Sequence, residues 1–348
     1  MRHTPGALAA MALCMVLSVS TSAADEPALK VGATIFADAT YQAAPATADA
    51  DGNEIHPSSF NVGRAYINVT GTLSKRFAFR ITPDVARELG GGSSLSGSQQ
   101  FRLKYAYAQL NLDEWTTKGS FVRFGMQQTP YVDYAEQHYR YRFQGPVFAD
   151  REGYLSSSDT GISARYVFPS DYGDVHGGFY NGEGYNKPEA NDQKAMQLRA
   201  TVRPLPKSRL GKGLRATLFY DGDNYVENAR RERVLAQVAY EHPRFHAGLE
   251  MLSTKDRASA SKPQFEGRGW SAFMTPRLGK GWELLLRRDH NRPDRHSGAE
   301  RTRTITGVAY WMPNLQKVTA AVLVDRDALT VTGKPDETRY GVKLLLSF

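Results

Sequence analysis

The run Arg64-Ala-Tyr-Ile-Asn-Val-Thr-Gly-Thr-Leu73 alternates with a period of two. Ala65, Ile67, Val69, Gly71 and Leu73 make one apolar face, while Arg64, Tyr66, Asn68, Thr70 and Thr72 make a wet one. Successive side chains of a strand point to opposite sides. Such a strand suits a wall with hydrocarbon on one side and water on the other. The same division recurs at Met196, Leu198, Ala200 and Val202 against Gln197, Arg199, Thr201 and Arg203. It returns at Leu214, Ala216, Leu218 and Tyr220 against Arg215, Thr217, Phe219 and Asp221.

Working outward, period-two segments of the length a transmembrane strand needs fall at 30–41, 60–73, 76–86, 100–112, 120–128, 159–168, 173–182 and 193–204. They continue at 213–223, 231–242, 244–254, 267–277, 280–290, 302–312, 316–326 and 337–348. The links after the even-numbered segments are short, and those after the odd-numbered ones longer and more polar. An even strand number with short turns at one end and long loops at the other is the arrangement of an all-β transmembrane antiparallel barrel of about sixteen strands. The fourth segment carries Phe101 and Leu103 on one parity and Ala106, Ala108, Leu110 and Leu112 on the other. A β-bulge at an unspecified position would reconcile them. Aromatic residues near segment ends, Tyr166, Tyr180, Tyr240, Trp270, Trp282, Tyr310 and Trp311, suggest interfacial girdles.

Residues 1–24 read as an export signal: Arg2, an apolar stretch from Ala7 to Val19, and small residues to Ala24. The barrel is then 25–348. The single cysteine, Cys14, falls within that signal, so neither disulfides nor cysteine metal sites are expected in the barrel. With 31 glycines, 18 Tyr, 16 Phe and 4 Trp, a mean hydropathy of −0.48 and no long helical pattern, the texture is β throughout. Lys and Arg number 44 against 36 Asp and Glu. In an exported protein this modest excess suits a solvated surface, a cationic lumen or contact with anionic lipopolysaccharide, and not a nucleic-acid partner.

The last segment, Glu337-Thr-Arg-Tyr-Gly-Val-Lys-Leu-Leu-Leu-Ser-Phe348, puts Tyr340, Val342, Leu344, Leu346 and Phe348 on one parity. It resembles the final strand of bacterial outer-membrane proteins, which ends in an aromatic residue read by the barrel-assembly machinery. That resemblance makes Phe348 an assembly signal. Phe60-Asn-Val-Gly-Arg-Ala-Tyr-Ile-Asn-Val-Thr-Gly71 and Phe121-Val-Arg-Phe-Gly-Met-Gln-Gln-Thr-Pro130 are similar to segments of the phosphate-selective porin O and P family. The resemblance implies a sixteen-stranded, trimeric, anion-preferring porin of the cell outer membrane, in contact with its lipid and lipopolysaccharide and needing no cofactor. It leaves the permeating solute open.

The link after the fifth segment, 129–158, is the longest and occupies the place of the third external loop, which folds inward in sixteen-stranded porins. Its charges Asp133, Glu136, Arg140, Arg142, Asp150, Arg151 and Glu152 are the expected pore constriction. On the wall, lumen parity collects Arg64, Arg80, Arg123, Arg165, Arg199, Arg203, Arg215, Arg233, Arg287, Arg339 and Lys343. Guanidinium groups suit transient contacts with phosphate or carboxylate, and Asp84, Glu250, Glu283, Asp289 and Asp325 share the lumen and offset part of the field. A barrel that binds or adheres without an open pore is one rival. An outer-membrane hydrolase is another, with His296-Ser297-Gly298 its nearest local candidate, although no catalytic residue is expected. His138, His176, His246 and His290 lack metal-ligand spacing.

Overall fold

The computed structural model describes residues 27–87 and 96–348, so the segment read as an export signal lies outside the described residues. The alternating segments close into one antiparallel barrel of sixteen strands. In chain order these are β1 (Ala28–Ala44), β2 (Ser58–Thr72), β3 (Phe77–Arg87), β4 (Gln99–Asn111), β5 (Phe121–Gln128), β6 (Ser158–Val167), β7 (Gly173–Tyr180) and β8 (Ala195–Val202). The second half comprises β9 (Leu214–Asn224), β10 (Arg230–His242), β11 (Phe245–Asp256), β12 (Phe265–Gly279), β13 (Trp282–Arg292), β14 (Arg301–Trp311), β15 (Thr319–Val331) and β16 (Glu337–Ser347). Each pairs with its sequence neighbours, and β16 returns to β1 with Thr34 opposite Ser347. Closure leaves no sheet edge, which a wall standing in hydrocarbon requires. At the closing seam Ala33 and Phe348 exchange backbone hydrogen bonds, both of 3.0 Å. Residue 32 is glycine there because a Cβ would stand 2.5 Å from the Phe348 carbonyl oxygen.

Two local departures from a regular ladder matter for the lumen. In β4 the register slips between Leu103, opposite Pro83, and Tyr105, opposite Thr82, which leaves Lys104 as the bulged residue. Phe101 and Leu103 therefore face outward above the bulge and Ala106 and Ala108 below it, while Lys104 and Tyr105 both turn in and are buried. Pro83, without an N–H to give, sits beside the bulge. Between β2 and β3 the backbone ladder runs only from Val69–Ile81 to Thr72–Ala78. Beyond it side chains stitch the seam. Arg80 Nη2 donates to Asn68 Oδ1 at 2.7 Å, Thr82 Oγ1 donates to the same oxygen at 3.0 Å, and Arg64 pairs with Asp84.

The alternation of loop lengths is less regular than the sequence suggests. The turns at 112–120 and 203–213 outrun the loops at 225–229 and 332–336. Both longer turns carry structure of their own: Asp113 Oδ1 accepts the Gly119 N–H at 2.8 Å, and Gly211–Gly213 forms a short 3-10 turn. Of the expected aromatic girdle, Tyr166 and Trp282 are exposed on the outer face, and Trp282 packs on Tyr310 with ring centroids 5.0 Å apart. Tyr180 and Trp311 do not belong to it. Tyr180 is buried inside, and Trp311 turns in to meet Tyr141.

The interior is not polar throughout. A belt of apolar side chains crosses the inner faces from β9 to β16 and on to β1: Phe219, Leu235, Leu252, Leu285, Ile305, Leu323, Leu345 and Phe36. Phe219 is opposite Leu235, Leu235 opposite Leu252, and Phe36 opposite Leu345. Against this belt packs the chain between β5 and β6, with α1 (Val132–His138) and α2 (Phe148–Arg151). Tyr131, Val132, Tyr141 and Phe148 are all but fully buried in it. The hydrophobic core of this molecule is thus inside the barrel, between loop and wall.

Candidate functional site

The inserted segment is tied to the wall by groups that its sequence disperses and the barrel gathers. Arg199 of β8 donates from Nε to the Pro130 carbonyl oxygen at 2.8 Å, and Arg287 of β13 donates from Nη1 to that of Pro146 at 2.9 Å. Tyr141 donates to Glu283 at 2.9 Å, and Gln144 donates to Asp325 at 3.1 Å. His138 Nδ1 lies 2.8 Å from Glu241. Close approach is allowed for in the wall itself: a Cβ on Gly269 of β12 would stand 2.5 Å from the Phe148 ring. Each contact beneath the loop is shielded from bulk water, where hydrogen bonds and ion pairs weigh more than they do at a surface.

The seven loop charges divide into two sets. Arg140 pairs with Glu283 and lies 4.1 Å over the Trp311 ring. Arg151 reaches Asp327 at 3.8 Å, and Glu152 accepts from Asn291 and Arg301, both at 2.9 Å. These three brace the loop against β13–β15. Glu136 and Arg142 pair at 2.5 Å, with Asp150 3.4 Å from the same guanidinium, and Asp133 accepts from Gln137 at 3.1 Å. Asp133, Glu136, Arg142 and Asp150 are the loop charges felt across the lumen at Tyr66, Tyr105, Lys104 and Arg123, on β2, β4 and β5. Burial pushes the Glu136 carboxyl above its ordinary range, with Arg142 pulling the other way.

Most of the wall cations named from parity are held by carboxylates. Arg64 pairs with Asp84, Arg165 and Arg199 share Asp174, Arg215 is 3.0 Å from Glu241, and Arg233 is 2.8 Å from Asp256. Arg287 grips Asp289 with two hydrogen bonds of 2.8 Å. Two belong elsewhere than mid-wall. Arg203 follows β8 in a turn, held by Asp171 and the Lys212 carbonyl, and Arg339 stands half-exposed at the loop end beside Glu337. Among the described residues, Arg80, Arg123 and Lys343 have no carboxylate within ion-pair distance. Arg123 donates to Gln109 at 2.6 Å and lies 3.9 Å over Phe121.

Parity reading missed Arg102, which shares Asp84 at 3.5 Å, and Lys104, which bonds Ser157 of the inserted segment and lies 3.8 Å over the Tyr185 ring. The signal for Lys104 was the broken alternation of its strand. His296 and Ser297 lie exposed in a loop, where the Ser297 hydroxyl donates to the Asp294 carbonyl at 3.1 Å and makes no bond to the imidazole.

No curated protein sequence matches the chain. Among solved structures, it is similar to the loop L8 deletion mutant of OmpT, an outer membrane protein of Vibrio cholerae. The TM-score is 0.64 at 14% identity, over 93% of this chain and 100% of that one. A trimer form of the in-vitro folded Vibrio cholerae OmpT gives 0.57 at 12%, over 92% and 100%. An anion-selective porin from Comamonas acidovorans gives 0.58 at 12%, over 92% and 99%. At such identities the likeness is one of fold. The sequence model of one family, phosphate-selective porin O and P, matches residues 37–240, more than half of the chain. The chain belongs to the phosphate-selective porin O and P family.

Proposed function

We propose that this outer-membrane porin passes small hydrophilic solutes by passive diffusion with a preference for anions, phosphate among them. The route runs between the free edge of the inserted loop and the inner faces of β2–β5. One observation carries the reading: Arg80, Arg123 and Lys104 stand on that side of the lumen with no carboxylate in ion-pair reach among the described residues, while Arg199 and Arg287 beneath the loop are neutralised. In a narrow, low-dielectric passage unpaired charges of one sign set the field. The family description and the anion-selective Comamonas neighbour support the same sign. Asp133, Glu136 and Arg142 front the constriction, with Asp150 beside Arg142, and Arg140, Arg151 and Glu152 hold it in place.

The family points to a channel rather than an enzyme, and no catalytic role is assigned to any residue. The trimer form of the Vibrio neighbour supports a homotrimer. The exposed apolar band would meet lipid and lipopolysaccharide, and Phe348, at the closing seam, would be read by the assembly machinery. The ion preference is tested by reversal potentials of single channels across a KCl gradient. Anion preference is expected, reduced toward neutrality in the double variant Lys104→Gln/Arg123→Gln. Cation preference in the parent protein would overturn the reading.

A further inference from the structure

Beside the proposed constriction, and sharing Asp150 with it, one recess in the lumen is lined by more carboxylates than cations. It lies between the inserted segment, the chain after β7 and the inner faces of β8 and β9, and measures about 260 Å³. Asp159, Asp221 and Glu183 line it, and none has an ion-pair partner among the described residues. Asp159 is held by the N–H groups of Thr160 and Gly182, both at 2.7 Å. Arg231 and Lys187 line the recess as well, and Arg233 stands opposite Asp221; Arg231 pairs with Asp223 and Arg233 with Asp256, neither with Asp221.

The second observation is a pair of unanswered acceptors. Gln197 of β8 stands opposite Asp221 of β9, and both line the recess. Gln197 is 6% exposed and Asp221 2%, and neither Gln197 Oε1 nor Asp221 Oδ1 has a hydrogen-bond donor. Two buried acceptor oxygens side by side, one of them charged, are costly unless a donor arrives. Acceptors of this kind suit the N–H groups of an organic cation. Tyr185 separates this recess from the basic wall. Its ring lies 3.8 Å from Lys104 Nζ and 4.8 Å from Arg102, and its hydroxyl accepts from Arg64 at 3.4 Å.

We propose that the recess at Asp159, Gln197 and Asp221 binds the ammonium or guanidinium end of small solutes, so that amino-acid-like zwitterions span Tyr185 with their anionic end toward Lys104 and Arg102. This deepens the channel reading and rests on it. The anion preference sets the average field, and the recess adds a local station for the other sign.

The test is single-channel recording in KCl with L-arginine amide as probe. Reversible interruptions of the current are expected. In Asp221→Asn their apparent affinity should fall about tenfold, the worth of one charge-assisted hydrogen bond, and in Gln197→Glu it should rise. Block by N-acetylglycine, which has no cationic end, should be the same in Asp221→Asn as in the parent. Equal block by arginine amide in all three proteins, or no block while the KCl steps are present, would overturn the proposal. Absence of KCl steps in the parent protein would overturn the channel reading beneath it.

Discussion

Glu136 is the residue at which charge and geometry meet most closely. It is paired to Arg142 at 2.5 Å and has its carboxyl raised by burial. A carboxyl with a raised pKa loses its charge early as the solution is acidified. On acidification Glu136 should therefore protonate ahead of ordinary carboxylates and leave Arg142 with Asp150 as its one remaining carboxylate partner. Anion preference, read as reversal potential, should rise as the pH falls. In Glu136→Gln it should begin high and stay flat, and an unchanged pH slope in that variant would remove Glu136 from the constriction. Lys104 teaches a complementary lesson. Its inward position was not legible from alternation, because a single bulged residue reverses the parity on either side. The broken alternation announced that a bulge existed, and only the pairing of Pro83 with Leu103 and Thr82 with Tyr105 says where.

At the scale of elements, the strands were legible because lipid on one side and water on the other impose a strict period of two. The inserted loop was less so. Its seat is the apolar belt, and that belt was written in the sequence as Leu235, Leu252, Leu285, Ile305 and Leu323 on the wet parity of their strands. Read singly each is an exception; read around the barrel they form a surface that needs a cover. The ion pairs and the wall-to-loop hydrogen bonds were not legible at all. Arg64 and Asp84, or Arg287 and the Pro146 carbonyl, meet only in the closed and filled barrel. Since the ladder closes without the loop, removal of Asp133–Asp150 should leave a folded barrel, checked by its heat-modifiable electrophoretic mobility. Its single-channel conductance should be larger and its ion selectivity weaker. Conductance and selectivity equal to those of the parent would show that the segment does not narrow the pore.

The whole molecule is a barrel with its hydrophobic core on one side of the interior and, as we propose, its passage on the other. The loop and the inner faces of β9–β16 form the packed half, and β2–β5 form the wall that solutes would pass. Lumen arginines are engaged by carboxylates on both sides of this division, and the few unpaired cations of β2–β5 carry the proposed preference. It also requires that the passage be open to water. Liposome swelling with sugars of graded size tests that requirement most directly. Proteoliposomes should swell at rates that fall steeply as the sugar grows from pentose to disaccharide, with faster entry of large sugars after removal of Asp133–Asp150. Failure of the smallest sugars to enter liposomes that contain the folded protein would contradict the open pore.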